Sequence, residues 1–330
     1  MEQQAKLIAV GSALVDQLAY VPEDFVASIK GEKGGMELVE LEEMNELLNK
    51  LPESPLRAPG GSAANTIVGA ARLGLNTGML SKVGNDEAGD FYRRSLRDAG
   101  VDDSAFKVNE EVATGTCISL ITPDSERTMR TYLGAAATLA PEDVTPADFA
   151  GCTHAHLEGY LLFNHDLIMQ VLKGAKEQGC KISLDLAAPE VVTANMDDLS
   201  SIVDEYVDIA LANESEAAAF TGEKEEQKAL AALAERCETA VVKVGSRGAW
   251  IQQGDEIAGV PIYGGKGVDT TGAGDLWASG FLYGLLSGWS LERAGMLGAH
   301  VSGEVVHVTG AMLPEEAWQR VFSRFEELKK

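Results

Sequence analysis

The sequence predicts an α/β fold in which a mostly parallel sheet is flanked by helices and accompanied by a small β-sheet lid. Two observations predict the main sheet: short apolar runs alternate with segments of helical periodicity, and several of these runs end in small or polar residues. A third observation predicts the lid. Two β-prone runs flank the turn Pro123-Asp124-Ser125, which is typical of an antiparallel hairpin.

The predicted elements follow one another with short connections. The first apolar run, 6-KLIAVGSALVD-16, predicts a buried strand with Asp16 at its carboxyl end. The stretch 60-GGSAANTIVGAARLG-74 predicts a tight loop that starts a helix at Ser62 or Ala63. The other predicted elements are helix 37–51, strand 77–84, helix 86–100, hairpin 114–134, strand 153–161, helix 166–179, strand 181–187, strand and helix 206–220, strand pair 239–251, and helices 275–288 and 291–306.

Composition narrows the class of protein. The 330 residues include 51 acidic and 27 basic side chains, a net charge of −24, and such a surface repels nucleic-acid backbones. No apolar run is long enough to span a membrane and no signal peptide is visible, so we expect no membrane partner and a cytoplasmic location. Four widely spaced cysteines predict reduced thiols.

The stretch 269-DTTGAGDLWASGFL-282 is the strongest candidate for a chemical site. It is not a dinucleotide fingerprint, because Trp277 stands where the third glycine belongs, and the chain has no Walker A loop. A Gly-Ala-Gly turn that opens a helix presents backbone N–H groups to an anion. Two interpretations of Asp275 remain open from these residues: it caps the helix, or it takes a proton from a hydroxyl that attacks a phosphoryl group.

These stretches resemble signatures of one enzyme family. DTTGAGD resembles the C-terminal signature of the ribokinase-like (PfkB) carbohydrate and nucleoside kinases, and GGSAANTIVGAARLG resembles the N-terminal one. The resemblance covers essentially the whole chain and is closest to adenosine-kinase-like members. It implies a doubly wound sheet, one kinase domain over 1–330 with a lid from insertions at about 17–59 and 108–133, and transfer of the γ-phosphoryl group of ATP to an alcohol.

The resemblance also implies roles for individual residues. Asp275 is the expected catalytic base, and Gly272, Ala273 and Gly274 form the expected anion hole. Residues expected to bind the acceptor are Ser12, Asp16, Gly60, Gly61 and Asn65. Residues expected near the nucleotide are Asn213, Lys243, Gly245, Gly248, Thr270 and His300. Asn213 and Glu216 are expected to organise Mg²⁺ through water, and Asp269 and Thr271 to supply part of a site for a monovalent cation such as K⁺.

The acceptor stays open between a nucleoside, a sugar and a sugar acid. The apolar side chains of Ile118, Leu120 and Tyr160 suit a purine. Arg127 in the lid is expected to approach the phosphates, whereas Arg130 would suit a sugar acid of the ketodeoxygluconate type. Two other classes of protein fit the sequence less well. A catalytically silent binding protein is disfavoured by the presence of Asp275, and a dehydrogenase is disfavoured by the absence of a dinucleotide-binding fingerprint. A monomer and a homodimer formed through the lid both fit the sequence.

Overall fold

The computed structural model describes residues 5–124, 126–265 and 267–329, so Ser125 of the predicted turn lies outside the described residues. The strands are β1 (Lys6–Val10), β2 (Leu14–Tyr20), β3 (Met36–Leu38), β4 (Leu56–Gly60), β5 (Asn76–Leu80), β6 (Lys82–Gly84), β7 (Val101–Asp102), β8 (Lys107–Asn109), β9 (Gly115–Ile121), β10 (Arg127–Tyr132), β11 (His154–Glu158), β12 (Lys181–Asp185), β13 (Ile209–Asn213), β14 (Thr239–Lys243), β15 (Ala249–Gln253) and β16 (Glu256–Val260).

The helices separate these strands along most of the chain. They are α1 (Glu23–Ala27), α2 (Leu41–Lys50), α3 (Ser62–Arg72), α4 (Glu87–Asp98), α5 (His165–Glu177), α6 (Pro189–Ala194), α7 (Met196–Tyr206), α8 (Glu214–Thr221), α9 (Glu226–Ala234), α10 (Ala273–Leu286), α11 (Leu291–Val305) and α12 (Glu315–Leu328).

The main sheet confirms the predicted α/β class. Its strand order is β16-β15-β14-β13-β12-β11-β1-β5-β7, and the pairings from β14 to β7 are parallel. Only β15 and β16 add antiparallel pairings at one edge of this sheet. Both faces of the sheet are covered. Along β1, for example, Leu7 and Ala9 pack into one apolar core and Ile8 and Val10 pack into the other. This alternation is expected because successive side chains of a strand point to opposite faces and helices cover both faces of the sheet.

A second sheet forms the lid, with the strand order β3-β10-β9-β2-β4. The predicted hairpin is confirmed as the antiparallel pair β9 and β10. The first predicted strand is wrong in its extent, because the chain leaves the main sheet after Val10 and Asp16 lies inside β2 of the lid. A small residue is needed where the chain crosses, since a Cβ at Gly11 would lie 2.3 Å from the Glu158 carboxylate.

Several elements were not predicted. These are the strands β3, β4, β7, β8 and β16 and the helices α1, α6, α7, α9 and α12. Among the described residues, no helix is long and apolar enough to cross a membrane. The four cysteines are free, in agreement with the prediction of reduced thiols.

Candidate active site

Four polar side chains stand at the carboxyl ends of neighbouring parallel strands. Glu158 ends β11, Asp185 ends β12, Asn213 ends β13 and Lys243 ends β14. The register pairs Glu158 with Asp185 and Asn213 with Lys243, so the four form a row along one edge of the sheet. In doubly wound folds this edge is where ligands bind, because the loops there leave a crevice between the helical layers.

The turn before α10 presents backbone donors to this crevice. Gly272 has φ +72°, and a Cβ there would lie 2.5 Å from the Cβ of Ala311, so the position requires glycine. The N–H of Ala273 donates to the carbonyl of Thr270 at 3.1 Å. Among the described residues, no acceptor is found for the N–H groups of Gly272, Gly274 and Asp275. These free donors at a helix N-terminus suit an anion.

Asp275 does not cap its own helix. Instead its carboxylate accepts the hydroxyl of Ser62 at 2.8 Å and the amide Nδ2 of Asn65 at 2.8 Å, both from the first turn of α3. Burial raises the pKa of Asp275, whereas these two hydrogen bonds oppose that rise. The arrangement holds a basic oxygen at the end of the anion-binding turn, and it favours the proton-accepting interpretation over the capping one.

The crevice beside this turn has a volume of about 950 Å³. A volume of this size suits a nucleotide. It brings together most of the residues predicted for the nucleotide, for the anion hole and for catalysis. Those that line it are Asn213, Glu216, Lys243, Gly245, Gly248, Thr270, Ala273, Gly274 and Asp275, together with Tyr160 from the predicted acceptor set.

Lys243 and Asp185 form a buried ion pair in this crevice. The ammonium of Lys243 lies 2.8 Å from the Asp185 carboxylate, and their side chains are only 15% and 9% exposed. A Cβ on Gly274 would lie 3.2 Å from the same ammonium, so Lys243 also faces the anion-binding turn. Burial alone would lower the pKa of Lys243, but the neighbouring carboxylates of Asp185 and Glu216 raise it above its usual value.

Asn213 and Glu216 form a capping box at the start of α8. The Asn213 side chain accepts the N–H of Glu216 at 2.9 Å, and the Glu216 carboxylate accepts the N–H of Asn213 at 2.7 Å. Among the described residues, no group of three or more acidic, histidine or cysteine side chains is placed to hold a metal ion. Mg²⁺ keeps several waters and binds with substrate phosphates, so the two carboxylates of Asp185 and Glu216 fit it through water rather than as a cage.

His300 lies in a pocket that adjoins the crevice and shares Tyr263 and Ala299 with it. Its ring packs on Tyr263 with centroids 3.8 Å apart and accepts a hydrogen bond from Arg324 at 2.9 Å, in a neighbouring pocket. The residues of α11 that do line the crevice are Ala299, Ser302 and Gly303. Their i, i+3, i+4 spacing defines one helix face, and His300 is one residue away from it.

The residues predicted for the acceptor converge on the loop before α3. A Cβ on Gly60 would lie 2.2 Å from the Asp16 carboxylate, and Gly61 adopts φ +97° against the carbonyl of Ser12. Burial raises the pKa of Asp16 to about 7, while Arg127 opposes this rise and Asp275 adds to it. Asp16 and Asp275 are therefore close enough to influence each other across this loop.

Three predicted acceptor residues face the opposite side of the lid. Ile118 and Leu120 are fully buried in the core that α1 and α2 form on the outer face of the lid. Arg130 pairs with Ile118 across the hairpin, is 2% exposed, and donates to the carbonyls of Lys30 and Met129. The strand register explains this correction, since a shift of one residue moves a side chain to the other face of a sheet.

Arg127 reaches the loop before the anion hole rather than an open phosphate site. One of its terminal nitrogens lies 2.6 Å from the Asp269 carboxylate, as a close ion pair without hydrogen-bond alignment. The same carboxylate accepts the N–H of Thr271 at 3.0 Å and that of Gly310 at 2.7 Å. Both carboxylate oxygens of Asp269 therefore face donors, and the role of Asp269 and Thr271 at a monovalent cation stays a prediction.

A comparison with protein families shows which family this chain belongs to. The model of the pfkB family of carbohydrate kinases matches residues 31–318. The chain belongs to this family. It is accordingly a phosphotransferase that acts on an alcohol group, and the ribokinase-like fold with its smaller second sheet is confirmed.

Individual relatives of this kinase match along nearly its whole length. The adenosine kinase of Saccharomyces cerevisiae is 29% identical over 338 residues, which cover 94% of this chain and 98% of that protein. The structure of an adenosine kinase from Sinorhizobium meliloti is 31% identical, covers 98% of this chain and 99% of its own, and has a TM-score of 0.86. A probable sugar kinase from Rhizobium etli CFN 42 is 31% identical, with 99% and 100% coverage and a TM-score of 0.87.

Three residues of the kinase site were not among the predicted site residues. Ser62 was predicted only as a possible helix start, Asp185 lay inside the predicted strand 181–187, and Glu158 lay inside the predicted strand 153–161 near the acceptor. The positions of Asp185 and Glu158 could have indicated a ligand site, because each is the last residue of a buried strand in a parallel sheet. Ser62 had no such signal, since its contact with Asp275 joins two distant helices.

Glu158 makes the stability of the kinase depend on pH. It is 2% exposed, accepts the N–H of Ser12 at 2.8 Å and of Ala63 at 3.2 Å, and burial raises its pKa from 4.5 to about 7 despite these bonds. The native state therefore holds this proton more tightly than the unfolded chain. We therefore expect the contribution of Glu158 to stability to be fully present below about pH 4.5 and to be lost, by about 3 kcal/mol in total, as the pH rises through 7.

The test compares the wild type with Glu158→Gln by urea unfolding at about pH 5 and about pH 7.5. We expect the free energy of unfolding of the variant, relative to the wild type, to be about 2 kcal/mol higher at the upper pH than at the lower one, because the variant cannot lose this proton. A stability difference that is the same at both pH values would show that Glu158 does not titrate in this range.

Proposed function

We propose that this kinase transfers the γ-phosphoryl group of ATP to the primary hydroxyl of a neutral ribosyl acceptor, a nucleoside of the adenosine type. The observation that carries this proposal is the side-chain chemistry around the loop before α3. Asp16, Glu158 and Asp275 are all carboxyl groups, and Arg127 is already paired with Asp269. A carboxylated sugar would meet carboxyl groups there and would find Arg127 already engaged by Asp269, whereas a ribose diol offers hydroxyl groups that the oxygens of Asp16 and Asp275 can accept.

In this proposal one group of residues handles the proton of the acceptor hydroxyl and another group stabilises the charge on the transferred phosphoryl group. Asp275, held by Ser62 and Asn65, accepts the proton of the attacking hydroxyl. The N–H groups before α10 and the ammonium of Lys243 face the charge that develops on the transferred phosphoryl group, and fixed donors of this kind need no reorganisation. Mg²⁺ bound with ATP would neutralise part of the phosphate charge.

The names of the relatives span nucleoside, sugar and sugar-acid kinases. The yeast and Sinorhizobium meliloti proteins are named adenosine kinases and cover 94% and 98% of this chain, which supports a nucleoside. The Rhizobium etli protein is equally similar and is named a probable sugar kinase, and a Bacillus licheniformis relative of 28% identity is named 5-dehydro-2-deoxygluconokinase, so a sugar and a sugar acid are the alternatives. Sugar-acid acceptors are disfavoured because Arg130, the side chain predicted for them, is buried on the outer face of the lid.

In this proposal a second copy of the kinase does not pack on the outer face of the lid. The outer face of the lid is occupied by α1 and α2, whose residues Val26, Met44 and Leu47 cover Ile118 and Leu120. A second lid could not pack on that face without displacing these helices.

The experiment measures ADP formation with Mg²⁺ and ATP against adenosine, 5′-deoxyadenosine, ribose, fructose and ketodeoxygluconate. We expect turnover with adenosine, competitive inhibition without turnover by 5′-deoxyadenosine, which lacks the accepting hydroxyl, and no turnover with the sugar acid. Arg130→Met is the control variant, and its KM for the acceptor should stay within about threefold of the wild type because Arg130 faces away. Efficient phosphorylation of ketodeoxygluconate, impaired in this variant, would overturn the proposal.

A further inference from the structure

The lid contacts the loop before the anion hole through an arginine. Arg127, the first residue of β10, reaches Asp269, and both side chains are only 10% exposed. Asp269 stands three residues before Gly272, the residue that opens the anion-binding turn. The contact therefore connects the mobile part expected of this fold with the segment that would hold the transferred phosphoryl group.

The surroundings of Asp269 leave no place for another cation while Arg127 is there. One carboxylate oxygen accepts the N–H of Thr271, and the other accepts the N–H of Gly310 and also faces the guanidinium. A monovalent cation brought to the same oxygens would lie against the guanidinium in a buried environment, where like charges repel strongly. Arg127 also interacts with Asp16, where its positive charge opposes the rise in the pKa of that carboxyl group, so the guanidinium acts on two carboxyl groups.

A second lid contact reaches the same segment. The hydroxyl of Tyr20 in β2 donates to the hydroxyl of Thr309 at 3.1 Å, next to Gly310, whose N–H binds Asp269. Leu18 of the same strand would lie 3.2 Å from a Cβ on Gly310. Strands β2 and β10 thus dock together on residues 309–310, so the ion pair belongs to a lid in contact with the body of the protein.

We propose that Arg127 is the resident cation of this loop: its guanidinium takes the position beside Asp269 in which a monovalent cation would otherwise stabilise the anion-binding turn. Because Arg127 belongs to the lid, closing the lid supplies this positive charge and opening it removes the charge. Arg127 is in this view a positioning residue that acts through Asp269. The kinase then needs no K⁺, and the inference rests on the proposed function only for the rate measurement in its test.

The test compares KCl with tetramethylammonium chloride at equal ionic strength, in the wild type and in Arg127→Met. Two quantities are measured: the thermal unfolding midpoint without substrates, and kcat with ATP and the acceptor. We expect no effect of K⁺ on the wild type. In Arg127→Met without K⁺ we expect kcat to be about ten- to hundredfold lower than in the wild type. Adding K⁺ to this variant should raise its kcat about tenfold and should also raise its thermal unfolding midpoint.

Matched variants make the outcome specific. Arg57→Met removes another arginine that joins the lid to the body, through an exposed ion pair with Glu87 at 2.9 Å, and should show no response to K⁺. Asp269→Asn combined with Arg127→Met should lose the rescue, because the carboxylate that attracts K⁺ is gone. If Arg127→Met does not fold, Arg127→Lys keeps a positive charge and should remain indifferent to K⁺.

Two results would overturn the proposal. A wild type that K⁺ stabilises or activates has room for a cation beside Asp269, so Arg127 is not its replacement. If an Arg127→Met variant folds but does not respond to K⁺, then K⁺ does not bind beside Asp269 when the guanidinium is removed, and Arg127 does not occupy a cation position. The midpoint needs no acceptor, so it decides the question even if none of the offered acceptors is phosphorylated and the proposed function fails.

Discussion

Asp275→Asn is expected to lower kcat by about two to four decades while ATP binding is largely retained. Asparagine keeps the size of the side chain and can still accept one hydrogen bond from Ser62 or Asn65, so the local geometry should survive. It cannot accept the proton of the attacking hydroxyl. The measurement is kcat by ADP formation, with the ATP dissociation constant from calorimetry on both proteins.

The controls for this prediction are the two residues that hold the carboxylate. Ser62→Ala and Asn65→Ala each remove one hydrogen bond and leave the base, so each should cost less than Asp275→Asn, about ten- to hundredfold in kcat. Losing these bonds should also raise the pKa of Asp275 further, because both bonds oppose the effect of burial. The acidic limb of the pH–rate profile should therefore move to higher pH in both variants. A fully active Asp275→Asn protein would remove Asp275 as the base.

The parts of this kinase that follow local rules were predictable from the sequence. The apolar runs of β1, β5 and β12 to β14 and the glycine turns before α3 and α10 depend on nearest neighbours along the chain, and they lie where the pattern indicated. The row of polar residues at the carboxyl edge follows from the parallel order of the strands. Two short signatures accordingly located most of the crevice.

The parts that failed depend on which face of an element meets the ligand. Ile118 and Leu120 have the apolar character expected of a purine contact, but the same character suits a lid core under two helices, and the register chose the second. His300 lies one position from the face of α11 that lines the crevice. The neighbouring sequence does not indicate which face of a strand or helix meets the ligand, because that face is determined by packing against elements that are distant in sequence.

The contact of Arg127 with Asp269 belongs to the same category. The sequence indicates a lid arginine near phosphate chemistry, but the choice between a phosphate and Asp269 as its partner is made by the docking of β2 and β10 on residues 309–310. A prediction from the family pattern alone placed a K⁺ at this carboxylate. In our proposal the positive charge beside this carboxylate comes instead from Arg127.

Lys243→Met is expected to have the second-largest effect, on both stability and turnover. The ion pair with Asp185 is buried, so removing the ammonium leaves an uncompensated carboxylate and should lower the free energy of unfolding by about 3 kcal/mol. The ammonium also faces the anion-binding turn, and losing such a group should lower kcat by about two to three decades. Urea unfolding and ADP formation measure the two effects separately.

The double variant Asp185→Asn with Lys243→Met separates a structural from a catalytic role. Replacing both charges removes the unpaired carboxylate, so we expect most of the lost stability to return. Turnover should stay low, because nothing replaces the ammonium opposite Gly274. Recovery of both quantities together would mean that Lys243 only neutralises Asp185. Recovery of stability alone would assign the positive charge of Lys243 to the phosphoryl group, where the fixed N–H donors before α10 also point.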